Sequence, residues 1–162
     1  MPDLIFRRAT EADVAMIIGL LADDVLGASR EATGAEDYPH YLNAFRAIDA
    51  DANQFLLVVD DGSSIVGTLQ LTFIAGLASR GLKRGQIEAV RIASDRRGEK
   101  IGEAMFNWAV EKCRAEQCGI VQLTTDKTRT EAHRFYDRLG FQPSHIGYKM
   151  KLQAALPVLK PL

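Results

Sequence analysis

Between Gln86 and Gly102 the chain reads Gln-Ile-Glu-Ala-Val-Arg-Ile-Ala-Ser-Asp-Arg-Arg-Gly-Glu-Lys-Ile-Gly. Few backbone arrangements satisfy that order. The first half alternates as a strand does, with Ile87, Ala89 and Ala93 on one face and Glu88, Val90 and Ile92 on the other. Both faces are largely apolar, which predicts a strand covered on both sides, with the Glu88 carboxylate among apolar neighbours. The second half, from Ser94, is polar, basic and glycine-containing, and it runs into a helical pattern. Strand, basic turn and helix start together aim unpaired N–H groups and a positive dipole end at an anion. The turn has two readings, a solvated basic loop and a pyrophosphate cradle. Neither Gly-x-x-x-x-Gly-Lys-Ser/Thr nor Gly-x-Gly-x-x-Gly is present.

The flanking elements follow from periodicity and punctuation. Leu4 to Arg8 reads as a short strand. Thr10 with Asp13 forms a capping box ahead of a helical stripe of Val14, Ile17, Ile18, Leu21 and Val25. A second helix begins near Pro39, with Tyr41, Leu42, Phe45 and Ile48 on its stripe. Gln54 to Asp60 and Ile65 to Ile74 make a hairpin across Asp61-Gly62, with Gly67 as a candidate bulge. A loop from Gly76 to Gly85 carries Arg80, Lys83 and Arg84. The helix after the basic turn presents Gly102, Met105, Phe106, Ala109 and Cys113 on one stripe and stops at Gly119. Ile120 to Thr125 is then a strand parallel to the central one, by the right-handed crossover rule. Thr128 with Glu131 suggests a further capped helix, ending at Gly140, and Tyr148 to Leu152 a last strand. The order predicts a mixed α/β sheet with helices on both faces, in one domain over 1–152 with a tail at 153–162.

Composition narrows the function classes. A net charge of −1 points away from nucleic acid. The two cysteines and three histidines show no metal-ligand spacing, so no metal is expected. No apolar run is long enough to span a membrane, and the N-terminus lacks the order of a secretory signal, so the expected compartment is the cytoplasm.

A second stretch, Ala132-His-Arg-Phe-Tyr-Asp-Arg-Leu-Gly-Phe141, follows one strand after the basic turn. With Glu88-Ala-Val-Arg-Ile92 and Arg97-Gly-Glu-Lys-Ile-Gly102, it resembles the GNAT superfamily, the Gcn5-related N-acetyltransferases. The resemblance covers nearly the whole chain and implies a central, mostly antiparallel mixed sheet with a βαβ core that binds acetyl-CoA. It implies that the backbone of Val90, Arg91 and Ile92 pairs with the pantetheine arm, in a wedge between the central strand and the strand at 120–125. It assigns the pyrophosphate to Arg96, Arg97, Gly98, Lys100, Ile101 and Gly102. Lys100 replaces the family's middle glycine, in a helix-start conformation that tolerates a side chain, and Arg129 replaces a frequent Asn, bringing a cation toward a phosphate.

For chemistry the resemblance implies direct transfer of acetyl to a primary amine of a small molecule or peptide, in a ternary complex. Glu88 is the candidate base, directly or through water; its alternative role is a structural ion pair. Tyr136 matches the frequent acid of the family; its alternative role is a core aromatic. Thiols ionise near pKa ~8.5 and phenols near ~10, so a tyrosine can protonate a departing thiolate. Cys113 lies on an apolar stripe and reads as a packed thiol. Tyr38, His40 and Tyr41 fall on the acceptor side, and a basic loop facing that pocket would suit an acidic or phosphonate-bearing amine. A non-catalytic acyl-CoA sensor is the alternative function, and a homodimer is the expected partner state.

Overall fold

In the computed structural model, which describes residues 3–24 and 26–152, five strands form one sheet in the order β1-β2-β3-β4-β5. They are β1 (Ile5–Arg8), β2 (Gln54–Asp60), β3 (Ile65–Ile74), β4 (Arg84–Ile92) and β5 (Ile120–Leu123). The first three pairings are antiparallel and β4–β5 is parallel. This is the mixed, mostly antiparallel sheet expected from the sequence. The chain divides into two compact units, one ending at Leu123 and one beginning at Thr124. The first holds the whole sheet.

Helices cover both faces of that sheet. On one lie α1 (Val14–Ala22) and α2 (Tyr38–Ala50), whose Val14, Ile17, Ile18, Leu20 and Phe45 close over Val58 and Ile65. Pro39 occupies the first turn of α2, where its missing N–H costs nothing. The Asp13 carboxylate accepts the Thr10 N–H at 2.7 Å and is clamped by Arg7 at 2.7 and 2.9 Å. Val25, the last member of the expected α1 stripe, lies outside the described residues. The opposite face is covered by α4 (Ile101–Ala115), with Met105, Phe106, Ala109 and Cys113 all at most 1 % exposed.

Two glycines set the distance between α4 and the sheet. A Cβ on Gly67 would stand 2.8 Å from Met105 Sδ, and one on Gly85 would fall inside 3.0 Å of Cys113 Sγ. Gly67 is therefore kept for close approach. The register shifts beside it: Val59 opposes Gly67 and Asp60 opposes Ile65, so the extra residue is Val66, next to Gly67 on β3. Ahead of β4, a single turn α3 (Ala78–Gly81) holds Ser79 and Arg80 at φ 54° and 63°.

The second unit contains α5 (Thr130–Arg138). Its N-cap is Arg129, and the Thr128 hydroxyl donates to Asp126 at 2.6 Å, so the expected Thr128–Glu131 capping box does not form. The strand expected at Tyr148–Leu152 is also absent. Ile146, Tyr148, Met150 and Leu152 are 78–91 % exposed and belong to no ladder. Alternation fixes which side chains share a face, but a strand needs a neighbour for its N–H and C=O groups. Residues 153–162 lie outside the described residues.

Candidate active site

Two irregularities in β4 shape the centre of the first unit. The parallel ladder with β5 stops at Ile87–Leu123, while β4 runs on to Ile92. From Glu88 onward β4 therefore has no ladder partner in β5. The ladder with β3 is interrupted as well: Gln70 opposes Glu88 and Thr68 opposes Arg91, so Ala89 and Val90 together face a single residue. This is a β-bulge, and Ala89 adopts φ 52° to make it. The alternation read from the sequence fails here. Directly opposed residues share a face, so Ile87 and Ile92 both lie on the α4 side, opposite Leu71 and Gly67.

The bulge also changes the surroundings of Glu88. Sequence reading predicts a buried carboxylate, but Glu88 is exposed, as is Ala89. The covered part of the strand ends at Ile87, which is 2 % exposed. The argument for a base activated by apolar burial therefore does not hold for this residue. Val90, Arg91 and Ile92 are half-buried, and the Val90 carbonyl accepts from Arg91 Nη1 at 2.7 Å.

The turn into α4 is held from outside by its own arginines. Arg91 pairs with Asp24 at 3.3 Å. Arg96 binds Asp61 and, at 2.9 Å, Glu99, while Arg97 Nη2 donates to the Asp23 carbonyl at 3.0 Å. Asp23 also accepts the Ser94 N–H at 3.2 Å. The Asp61 carboxyl is held well below the usual carboxylate range, first by the Ser63 hydroxyl and the Ser63 and Ser64 amides, and then by Arg96. The guanidinium groups of Arg91, Arg96 and Arg97 thus brace the loop against α1 and the β2–β3 turn. What remains for an anion is backbone. The N-terminus of α4 has no side-chain cap, so the N–H groups of Ile101 and Gly102 lack an intrahelical acceptor. Gly98, at φ 90°, has nothing within 4 Å of where a Cβ would stand. Lys100 precedes the helix at φ 62°, ψ 13°. This is the left-handed region and not the helix-start conformation expected, and it explains why a glycine suits that position.

On the face away from α4, the register assembles a row that no sequence motif announces. Gln54, Thr72, Gln86 and Gln122 oppose one another in turn across β2, β3, β4 and β5. Gln54 Oε1 accepts from Thr72 Oγ1 at 2.8 Å and from Gln70 Nε2 at 3.0 Å, and Gln122 Nε2 donates to Gln86 Oε1 at 2.7 Å. A cleft of about 460 Å³ is lined by residues of α1, α2 and the segment between them: Ile18, Gly19, Ala32, Gly34, Tyr38 and Tyr41, among others. Tyr41 accepts the Ala32 N–H and donates to Glu31 at 2.8 Å; burial and Glu31 raise its pKa. Cys113 is 1 % exposed, and burial pushes its thiol up to about 12, so it is no nucleophile.

In the second unit, Tyr136 is half-buried and packs edge-on with Phe135 (5.7 Å between ring centroids) and Phe141 (6.2 Å). Arg129 is exposed, and its carbonyl accepts the His133 N–H at 3.1 Å. Asp126 anchors the preceding turn, and its carboxyl is held low by Thr128. His133 contacts the Asp126 carbonyl at 2.9 Å.

The family model described as acetyltransferase (GNAT) family matches residues 22–141. The chain belongs to the GNAT acetyltransferase family. With that membership goes the enzyme class, an N-acetyltransferase. A curated relative, the aminoalkylphosphonate N-acetyltransferase of Salmonella typhimurium, is 28 % identical to this GNAT chain over 156 residues, covering 94 % of each. A crystal structure described as a transcriptional regulator from Bacillus halodurans C-125 is 43 % identical, with a TM-score of 0.89 over 93 % of this chain and 100 % of its own. A putative acetyltransferase from Agrobacterium tumefaciens shares the fold, with a TM-score of 0.81 at 23 % identity over 91 % and 99 %. Among the described residues, no helix is long and apolar enough to cross a membrane.

Proposed function

We propose that the chain transfers acetyl from acetyl-CoA to a primary amine of a small molecule or peptide, by direct attack in a ternary complex. The observation that carries this reading is the end of the parallel ladder at Ile87–Leu123, past which β4 continues to Ile92 without β5, so that an extended ligand arm can take the place of a neighbouring strand. The helix start fits the anionic end of the same ligand, because its first-turn amides are uncapped and Gly98 leaves the backbone open. When bound, acetyl-CoA supplies an activated thioester. The backbone of Val90, Arg91 and Ile92 orients its arm, and Gly98, Lys100, Ile101 and Gly102 hold its pyrophosphate. Arg96 and Arg97 act at one remove, by fixing the loop. Arg129 is assigned to the cofactor by motif position.

An exposed Glu88 takes the proton of the attacking amine directly or through a water that it holds. Tyr136 is the proposed acid that protonates the departing thiolate; motif position supports it. The test is thiol release from acetyl-CoA against a panel of amino acids, polyamines, aminosugars, aminoalkylphosphonates and peptide N-termini. One amine well above background is expected, with Glu88→Gln and Tyr136→Phe each lowering kcat by about 10²-fold or more. A second reading, a non-catalytic acyl-CoA sensor, is favoured by the description of the Bacillus halodurans relative as a regulator. Tight acetyl-CoA binding with no transfer to any amine would select it. Absence of binding would refute both readings.

A further inference from the structure

The helix-covered face opposite α4 separates its charged side chains into two kinds. Arg7, opposite Val58, pairs with Asp13 and with Asp60 at 3.1 Å, and Arg91, opposite Thr68, pairs with Asp24. Two charges on the same face have no ion-pair partner among the described residues: Arg84, opposite Ile74 and Ile120, and Glu88, opposite Gln70. They have opposite signs and stand four residues apart on β4, about 13 Å along the strand. Between them lies Gln86, at the centre of the amide row.

That row has its polar capacity half used. Gln54 Oε1 already accepts twice, which leaves its NH2 as a donor pair. Gln86 Oε1 takes the Gln122 amide, which leaves the Gln86 NH2 group and the Gln122 oxygen open. A half-buried surface that offers fixed donors and acceptors, with a free cation at one end and a free carboxylate at the other, is complementary to a zwitterion. A bare polyamine would set its second cation against Arg84. A plain alkylamine would leave Arg84 and the amides without partners.

We propose that Arg84 is a specificity-determining residue. It binds the anionic group, phosphonate or carboxylate, of a small acceptor whose amine is held at Glu88, while the open Gln86 NH2 group donates a further hydrogen bond to that anionic group. The proposal rests on the acetyltransferase reading for its purpose, but it concerns binding and is tested as such. Of the three basic residues Arg80, Lys83 and Arg84, only Arg84, the first residue of β4, is on this face. Lys83 is turned away to Glu116 at 3.6 Å and to the Phe73 ring, and Arg80 is exposed in the α3 turn.

The experiment titrates the full chain by calorimetry with 2-aminoethylphosphonate and with ethanolamine, a neutral amine of the same chain length. The wild type binds the phosphonate at least tenfold more tightly. Arg84→Gln brings that ratio near one, and Gln86→Leu weakens the phosphonate while leaving a preference for it. Circular dichroism checks that each variant is folded. If Arg84→Gln does not fold, Arg84→Lys decides, because an ammonium loses the two-pronged contact and must cut the ratio several-fold. A wild-type ratio near one, or a ratio that survives substitution of Arg84, overturns the proposal. Thiol release is measured separately. Its absence with every amine refutes the transfer reading, even where the binding ratio stands.

Discussion

Gly85→Ala tests whether the close contact between β4 and the last turn of α4 sets the spacing of strand and helix. The added methyl would fall inside 3.0 Å of Cys113 Sγ and 3.4 Å from Cys113 Cβ, where non-bonded heavy atoms prefer about 3.5–4.0 Å. Neither side has room to give. Cys113 is 1 % exposed, and Gly85 is paired with both β3 and β5. Strand and helix must therefore move apart, at the upper end of the overpacking range, about 3 kcal/mol. Cys113→Ala alone removes one buried sulfur and costs about 1 kcal/mol. In the double variant the new methyl occupies the space of the lost sulfur, so stability falls by about 1 kcal/mol rather than by the sum, a coupling of about 3 kcal/mol. Urea unfolding of the four proteins at fixed pH measures this, with Gly85→Ala also lowering Tm by about 6–12 °C. A double variant as unstable as Gly85→Ala alone would refute the reasoning, because the strain would then lie elsewhere than at the sulfur.

Three further outcomes are expected. Cys113, with its thiol pushed up to about 12, stays unreactive toward a disulfide reagent at pH 8 in the folded protein, while the part-exposed Cys118 reacts; two fast thiols would contradict the packing. Asp13, held near pKa 2 first by its hydrogen bonds to Arg7, contributes stability that is fully present above the unfolded carboxylate value near 3.9 and is lost as pH falls through about 2. Asp13→Asn is therefore less stable than wild type by about 1–2 kcal/mol at pH 7, with the gap closing below pH 3 in acid-unfolding curves. At position 100, where φ is 62°, Lys100→Gly exceeds Lys100→Ala in stability by about 0.5–1 kcal/mol in urea unfolding. Equal stabilities would mean that the left-handed conformation is not kept in solution.

Local order was legible in the residues themselves. Periodicity and punctuation located α1, α2, the β2–β3 hairpin, α4 and the parallel β5, because each depends on neighbours a few positions away. The paired motifs at 88–102 and 132–141 were enough to indicate the family. What failed were inferences that needed partners. Tyr148–Leu152 has the alternation of a strand but no ladder. That the Arg96 and Arg97 side chains reach Asp61, Glu99 and the Asp23 carbonyl was not legible either, because Asp61 and Asp23 are remote in the chain.

The sequence by itself determined the element types, the basic turn with its helix start, and the enzyme family, all written in contiguous residues. Only the tertiary structure decided the bulge at Ala89, the exposure of Glu88, the left-handed Lys100 and the row of Gln54, Thr72, Gln86 and Gln122. The physical reason is register. Which residues face one another across a sheet, and which charges are left unpaired there, is set by hydrogen bonds between strands remote in the chain, and a one-residue slip reassigns every face.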